Sequence, residues 1–325
     1  MQPINIKKKQ KYIILIKIAI AITCLYLLID KIDFNQLTNA FSGIKNISPL
    51  LVVMLLFSIV ALQIFNILIE TTKWRILVYQ YQISNVDALK QVLAGIAGGF
   101  ISPNRIGDPI ARCYLLPTKF RVRGLLPASL CSFSQLLATA IFGSIALMRI
   151  SNENLPSIPR LAMTQFILVI LIGALIWIAM KFFENRLGHI RLSKVLVVVG
   201  LSLIRYFVFC MELWLIFLLL SPSVKFEPMF FAISLTFLIN SIIPSFPITE
   251  LGVKAAGAAV FFPLFSIDAT IAITATMLLW FINVALPAIP GIIILTSHGI
   301  TIQGIKDFRN QILKKEIEEG SNVIA

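Results

Sequence analysis

The sequence predicts an all-α polytopic membrane bundle of about six full spans plus two broken, re-entrant hairpins, and three observations carry that expectation. Hydrophobic residues make up 58% of the 325 positions and charged residues 13%, with a mean hydropathy of +0.92; a soluble domain usually carries about 25% charged residues. Apolar runs recur along the chain with short polar connections between them, and a helical crossing needs only about 20 such residues. Two stretches, residues 95–116 and 243–254, set charged and helix-breaking residues inside otherwise apolar sequence. Within a bilayer, irregular backbone survives only where protein or a wet cavity satisfies its polar groups, so both stretches read as hairpins that line a site.

The excess of 28 Lys and Arg over 15 Asp and Glu gives a formal charge of +13. A nucleic-acid footprint would gather those bases on one soluble face. They lie instead between hydrophobic runs, as cytoplasmic loops facing anionic lipid do, and no nucleic-acid partner is expected. Cys24, Cys113, Cys131 and Cys210 are scattered without a CxxC pair, so no disulfide framework and no zinc site is indicated, and the four read as small buried hydrophobes. His189 and His298 have no metal-ligand spacing and read as loop residues. The basic N-terminus opens like a signal peptide, but no small-residue cleavage site follows, which predicts a retained anchor. With 325 residues taken up by spans and short connections, no soluble catalytic domain of ordinary size is expected. Residues 1–298 form the membrane unit and 299–325 a short charged tail.

Lys7, Lys8, Lys9 and Lys11 precede a first span at about 12–29 and place the N-terminus in the cytoplasm. The near-neutral connection 30–48 suits the outside. Span two, about Pro49 to Ile69, carries Gln63, Asn66 and Glu70 near its inner end, where polar side chains turn to the bundle interior. Residues 70–124 hold eight bases against three acids, a cytoplasmic bias. Inside that region Ala88 to Ile101 and Ile110 to Leu116 are each too short to span, so the chain can dip inward and return. Trp74, Tyr79 and Tyr81 read as an interfacial aromatic belt. Span three runs from about Leu125 to Ile150, an exterior turn covers 151–160, and span four covers about 161–183. Span five, about Val195 to Leu220, contains Arg205 and Glu212 on nearly the same helical face. The run 229–264 breaks at Pro244 to Thr249, and the last span, about Ile267 to Leu295, is expected to kink at Pro287 and Pro290.

Six residues are candidates for a binding site: Arg105, Asp108, Arg112, Arg205, Glu250 and Lys254. Asp108 before Pro109 reads as a helix N-cap followed by proline at the first helical position. Asp108 with Arg112, and Glu250 with Lys254, are acid and base four apart beside a proline break. As ordinary surface pairs they are worth only about 0.2–0.5 kcal/mol each. As hairpin tips they bring helix N-termini and cations around an anionic headgroup. Arg105 can hold phosphate as a fork or snorkel at headgroup level. Arg205 and Glu212 can form a structural intramembrane pair or serve the site. Paired interrupted segments in two halves of a chain point to a transporter site near the midplane.

The stretch Asn104-Arg105-Ile106-Gly107-Asp108-Pro109-Ile110-Ala111-Arg112 and the stretch Pro244 to Lys254 resemble the two hallmark segments of the lysylphosphatidylglycerol synthase transmembrane, or flippase-like, family. Those segments read approximately Pro-x-Arg-x-Gly-Glu-x-x-Arg and a Pro/Gly-rich stretch ending in Gly-x-x-Glu. Length, basic N-terminus and span layout extend the resemblance over about 10–300. Asp108 stands where the family has Glu, Phe246-Pro247-Ile248 where it has paired glycines, Cys131 to Gln135 where span three often has Glu-Arg, and Trp280 and Asn283 where the last span often has Arg. The resemblance implies a multi-pass protein of the bacterial or archaeal inner membrane. It also implies movement of a phosphate-bearing polar lipid, a phospholipid or a polyprenyl-linked lipid, between leaflets. Arg105, Asp108, Arg112 and Glu250 are the matching positions.

The leading expectation is therefore a lipid flippase-like transporter rather than an enzyme, since no nucleophile elbow, HExxH or other catalytic motif occurs. It needs no metal and no cofactor, and it is compatible with a homo-oligomer. The alternatives are a membrane-embedded transferase using a lipid-linked donor and a non-transporting assembly partner.

Overall fold

The computed structural model describes residues 47–102, 105–154, 190–243 and 247–298, together with Asn35, Thr38 and Gly173. Among the described residues every regular element is helical: α1 (Pro49–Leu77), α2 (Asn85–Ile101), α3 (Gly107–Tyr114), α4 (Leu125–Asn154), α5 (Leu192–Leu220), α6 (Phe226–Ile242), α7 (Pro247–Phe261), α8 (Ala269–Trp280) and α9 (Leu286–Ser297), with 3₁₀ turns between some of them. Four helical stretches among the described residues are long and apolar enough to cross a membrane: Pro49–Leu77, Leu125–Ile150, Leu192–Leu220 and Ala269–Ser297. They correspond to spans two, three, five and the last one of the sequence reading. The expected spans at 12–29 and 161–183, the N-terminal lysines, Cys24, His189 and the tail after His298 lie outside the described residues.

Helix starts follow local chemistry. The Ser48 hydroxyl accepts the Leu51 amide at the head of α1, and Pro49 takes the first helical position, where no N–H is needed. At α2, Ser84 and Asp87 cap reciprocally: the Asp87 amide donates to Ser84 Oγ at 3.1 Å and that hydroxyl donates to the Asp87 carboxylate at 2.7 Å. Asp268 accepts the Ile271 amide at 3.0 Å to start α8. The tight returns use left-handed residues at Gln82, Arg105 and Ser266.

Three details differ from the sequence reading. The helix α4 continues through Asn154, so the expected turn at 151–160 begins later than its Ser and Asn residues suggest. Asp108 is not an N-cap: α3 begins at Gly107 after Ile106, without a side-chain cap, and Asp108 sits in the first turn with its carboxylate turned to Arg112. The last span is irregular before its prolines, through a π turn at Phe281–Ala285 that joins α8 to α9. Such a turn relaxes the bonding that proline would otherwise break.

Two helix–break–helix hairpins organise the packing. The first is α2 with α3, and the second is α6 with α7, separated by residues 243–246. A core beneath the first hairpin joins Trp74, Leu77, Val92, Cys113, Leu116 and Cys131 from α1 to α4. A larger core joins α5, α6, α7 and α8 around Tyr206, Phe217, Met229, Ile233 and Phe262. Aromatic rings knit it to α4, with Phe142 stacked on Tyr206 at 4.6 Å and edge-on to Phe230 at 5.6 Å. The described cysteines are buried in these cores, as expected.

The first hairpin closes because its helices meet at glycine. A Cβ on Gly98 would lie 2.5 Å from the Gly107 carbonyl oxygen, and one on Gly107 would strike the Gly98 carbonyl. Backbone meets backbone there, with Ala111 filling the next position at no exposure. That contact sets the height of α3, and with it the position of Arg112.

Candidate functional site

Helix α1 presents Gln63, Asn66, Glu70 and Lys73 at spacings of three and four, one polar stripe along a largely apolar helix. The stripe faces inward: Asn66, Glu70 and Lys73 are 2%, 3% and 0% exposed. Glu70 is its centre. Arg112 Nη1 donates to Glu70 Oε1 at 2.8 Å, while Lys73 Nζ and Arg205 Nη1 each donate to Oε2 at 3.0 Å. One carboxylate thus holds three cations from α1, the first hairpin and α5.

Each of the three cations has a second partner. Arg112 forks onto Asp108, with Nη2 to Oδ2 at 3.1 Å and Nε on Oδ1. Lys73 Nζ donates to the Cys131 carbonyl at 3.1 Å. Arg205 Nε donates to Asn66 Oδ1 at 2.5 Å. Three cations face two carboxylates, which leaves one positive charge in excess. Trp74 supports the stripe from below, fully buried, its Nε1 donating to Gln91 Oε1 at 2.7 Å. It is not part of an interfacial belt, because its place one turn after Glu70 on the same face takes it inward. Tyr81 is buried in the same core, and only Tyr79 of the three expected belt residues is exposed, beneath the Lys194 ammonium.

A chain of amides leads away from this hub. Asn66 Nδ2 donates to Asn283 Oδ1 at 2.6 Å, and Asn283 Nδ2 donates to Glu212 Oε2 at 2.6 Å. Gln63 Nε2 reaches the Ile282 carbonyl in the π turn at 3.1 Å. Arg205 and Glu212, on one face of α5 as expected, are therefore joined through Asn66 and Asn283 rather than directly.

The second hairpin carries its own pair. Lys254 Nζ lies 2.9 Å from Glu250 Oε1, one turn apart on α7, and Glu250 is buried. Arg105, exposed at the left-handed turn before α3, is near enough to act electrostatically on both Glu250 and Arg205. Helix α7 also touches α2. The six sequence candidates thus fall into two ion-paired groups with Arg105 between them. Both expected i,i+4 pairs form, but the residue that gathers the first group, Glu70, and its partner Lys73 were not among the candidates. Their polar stripe at helical period was the signal available in the sequence.

No cluster of three His, Cys, Asp or Glu able to hold a metal occurs among the described residues. No curated protein matches the chain. The family described as the Lysylphosphatidylglycerol synthase TM region matches residues 14–291, which includes both hairpins and every residue of the hub. A membrane-spanning helical chain with buried charge at its centre, matched over most of its length, belongs to the family of the lysylphosphatidylglycerol synthase transmembrane region.

Proposed function

We propose that the protein is a flippase-like transporter that moves a phosphate-bearing polar lipid between leaflets, its headgroup held by the charged residues of the two hairpins while the acyl chains stay in lipid. The observation that carries this reading is the Glu70 hub, with two buried cations, Lys73 and Arg112, and the half-buried Arg205 converging from three elements on one buried carboxylate. As a purely structural device such a cluster is a poor choice. Removing each ion from water costs several kcal/mol even after relaxation, and well-packed apolar residues in its place are often neutral or stabilising by about 1–4 kcal/mol. Charge kept at membrane depth marks a path for polar cargo. The family's link to lipid chemistry supports the same reading. The protein makes and breaks no bond in this reading, and its partner is a membrane phospholipid or a polyprenyl-linked lipid.

In this reading the chain sits in the inner membrane with six crossings, both hairpins re-entering from opposite faces and both termini in the cytoplasm. Single cysteines at Asn35, Ser157 and Asn322, in an otherwise cysteine-free chain, test that arrangement. The first two should react with an impermeant thiol reagent in intact cells and the third should not. Labelling at Asn322 would turn the second hairpin into a full crossing.

The transport reading is tested in proteoliposomes holding a fluorescently tagged phosphatidylglycerol. The wild type should equilibrate the lipid between leaflets, and Arg205→Ala should slow it at least about tenfold, the effect of about 1.4 kcal/mol lost from a barrier step. Glu250→Gln should slow it less, since Lys254 and Arg105 remain. Equal rates in protein-free vesicles and with folded wild-type protein would reject transport, and a new lipid product without redistribution would assign the chain to the transferases.

A further inference from the structure

We infer that Glu70 occupies, in the empty protein, the seat of the ligand's phosphate, and that a singly charged phosphodiester displaces it from Arg112 and Arg205. This assignment rests on the transporter reading for its lipid and on the hub geometry for its place.

The geometry of the exchange is already built. Glu70 offers two oxygens to donors on three elements, Oε1 to Arg112 Nη1 at 2.8 Å and Oε2 to Lys73 Nζ and Arg205 Nη1 at 3.0 Å. The two non-bridging oxygens of a phosphodiester present the same pair of acceptors to guanidinium forks. Neither arginine depends on Glu70 alone. Arg112 keeps its fork on Asp108, and Arg205 keeps Asn66 through Nε. Lys73 follows Glu70 rather than the arginines, because the two are three apart on α1 and form an ion pair within that helix.

The charges also close. Within the ion pairs of the hub three cations share two carboxylates, one positive charge in excess, while Glu212 and Arg105 act on Arg205 from further off with opposite signs. After the exchange Lys73 neutralises Glu70, Arg112 neutralises Asp108, and Arg205 neutralises the phosphodiester. A buried cluster that ends fully paired selects one negative charge, since an unpaired ion in low dielectric is penalised heavily. A zwitterionic or cationic headgroup brings a further positive charge and leaves the cluster in excess. The ligand class is therefore an anionic phosphodiester, and Glu70 is a built-in competitor that sets its affinity.

Binding measured on the full chain in detergent, with dioctanoyl phosphatidylglycerol as the probe, tests the exchange apart from transport. Glu70→Gln keeps the shape of the side chain and removes the competing charge, and it should tighten binding about tenfold, a change of about 1.4 kcal/mol. Glu70→Asp, one methylene shorter and less able to reach both arginines, should tighten it to a smaller degree and serves if the glutamine variant does not fold. Arg205→Gln should abolish binding. Dioctanoyl phosphatidylcholine should bind the wild type far more weakly than the glycerol lipid.

Unchanged or weaker binding of the glycerol lipid by folded Glu70→Gln overturns the exchange, and so does equal binding of the choline lipid. Inorganic phosphate should displace the lipid only at far higher concentration, and phosphate binding as well as the lipid would overturn the phosphodiester assignment in favour of the free ion. A protein that shows the tighter binding in Glu70→Gln but moves no lipid in vesicles keeps the seat and loses the transporter. One that moves lipid while Glu70→Gln binds no tighter keeps the transporter and loses the seat.

Discussion

Arg112→Ala is expected to lower stability by about 3–5 kcal/mol, the usual effect of removing one partner from a buried ion pair, and to stop lipid movement. Arg112 is 3% exposed and ties α3 to α1, through Asp108 on one side and Glu70 on the other. Without it Glu70 keeps Lys73 and Arg205, but Asp108 loses the cation it faces. A half-buried carboxylate left unpaired either draws in water or pushes α3 away from α2. Thermal unfolding of the purified protein in detergent measures the first effect and the vesicle assay the second. Arg112→Lys keeps the charge but not the fork, so it should recover part of the stability and little of the transport. An alanine variant that unfolds at the wild-type temperature would show that the hub does not hold the hairpin.

Gly98→Ala should be the second most damaging single change, although it adds one methyl group. Its Cβ would lie 2.5 Å from the Gly107 carbonyl oxygen and 2.7 Å from the Ala111 Cβ, so neither neighbour is a flexible chain end that can turn aside. Overpacking of this kind costs about 1–3 kcal/mol. Here it also lifts α3 and carries Arg112 away from Glu70, so transport should fall further than stability does. Gly200→Ala is the comparison. Nothing lies within 4 Å of a Cβ at that position in the middle of α5, and alanine there should be neutral or stabilising by about 0.5–1 kcal/mol. If both variants unfold alike, the close approach of α2 and α3 is not what sets the hairpin.

What the sequence made legible follows from the range of the forces involved. Span limits come from local composition, and the third span, Leu125–Ile150, falls where it was expected. The breaks at 102–106 and 243–246 were visible because proline and glycine act on their own backbone. The pairs Asp108–Arg112 and Glu250–Lys254 were visible because a helix brings i and i+4 together in any fold. The hub was not visible as a hub. Glu70 meets Arg112 across 42 positions and Arg205 across 135, and only the packing of α1 against α5, and of α3 against α2 and α4, which themselves pack on α1, decides that they meet. Lys73 was counted among cytoplasmic bases, as charge alone suggests, yet it is fully buried because it shares a face with Glu70. Asp108 was assigned the wrong duty for a related reason: a cap competes with a nearby guanidinium, and the buried ion pair outweighs a single amide.

The π turn at Phe281–Ala285 holds one residue more than a regular helix would need to cover the same rise. An α-helix turns about 100° per residue, so that one extra position sets the rotational phase of everything after it. Gly291 faces the Leu93 carbonyl on α2 so closely that no side chain fits between them. Losing one residue from the turn would swing a bulky neighbour, Pro290 or Ile292, toward that carbonyl and take the Ile282 acceptor from Gln63. The length of this one irregular turn therefore keys the end of the last span to the first hairpin, and chains that share this packing can tolerate substitutions there far more readily than a deletion.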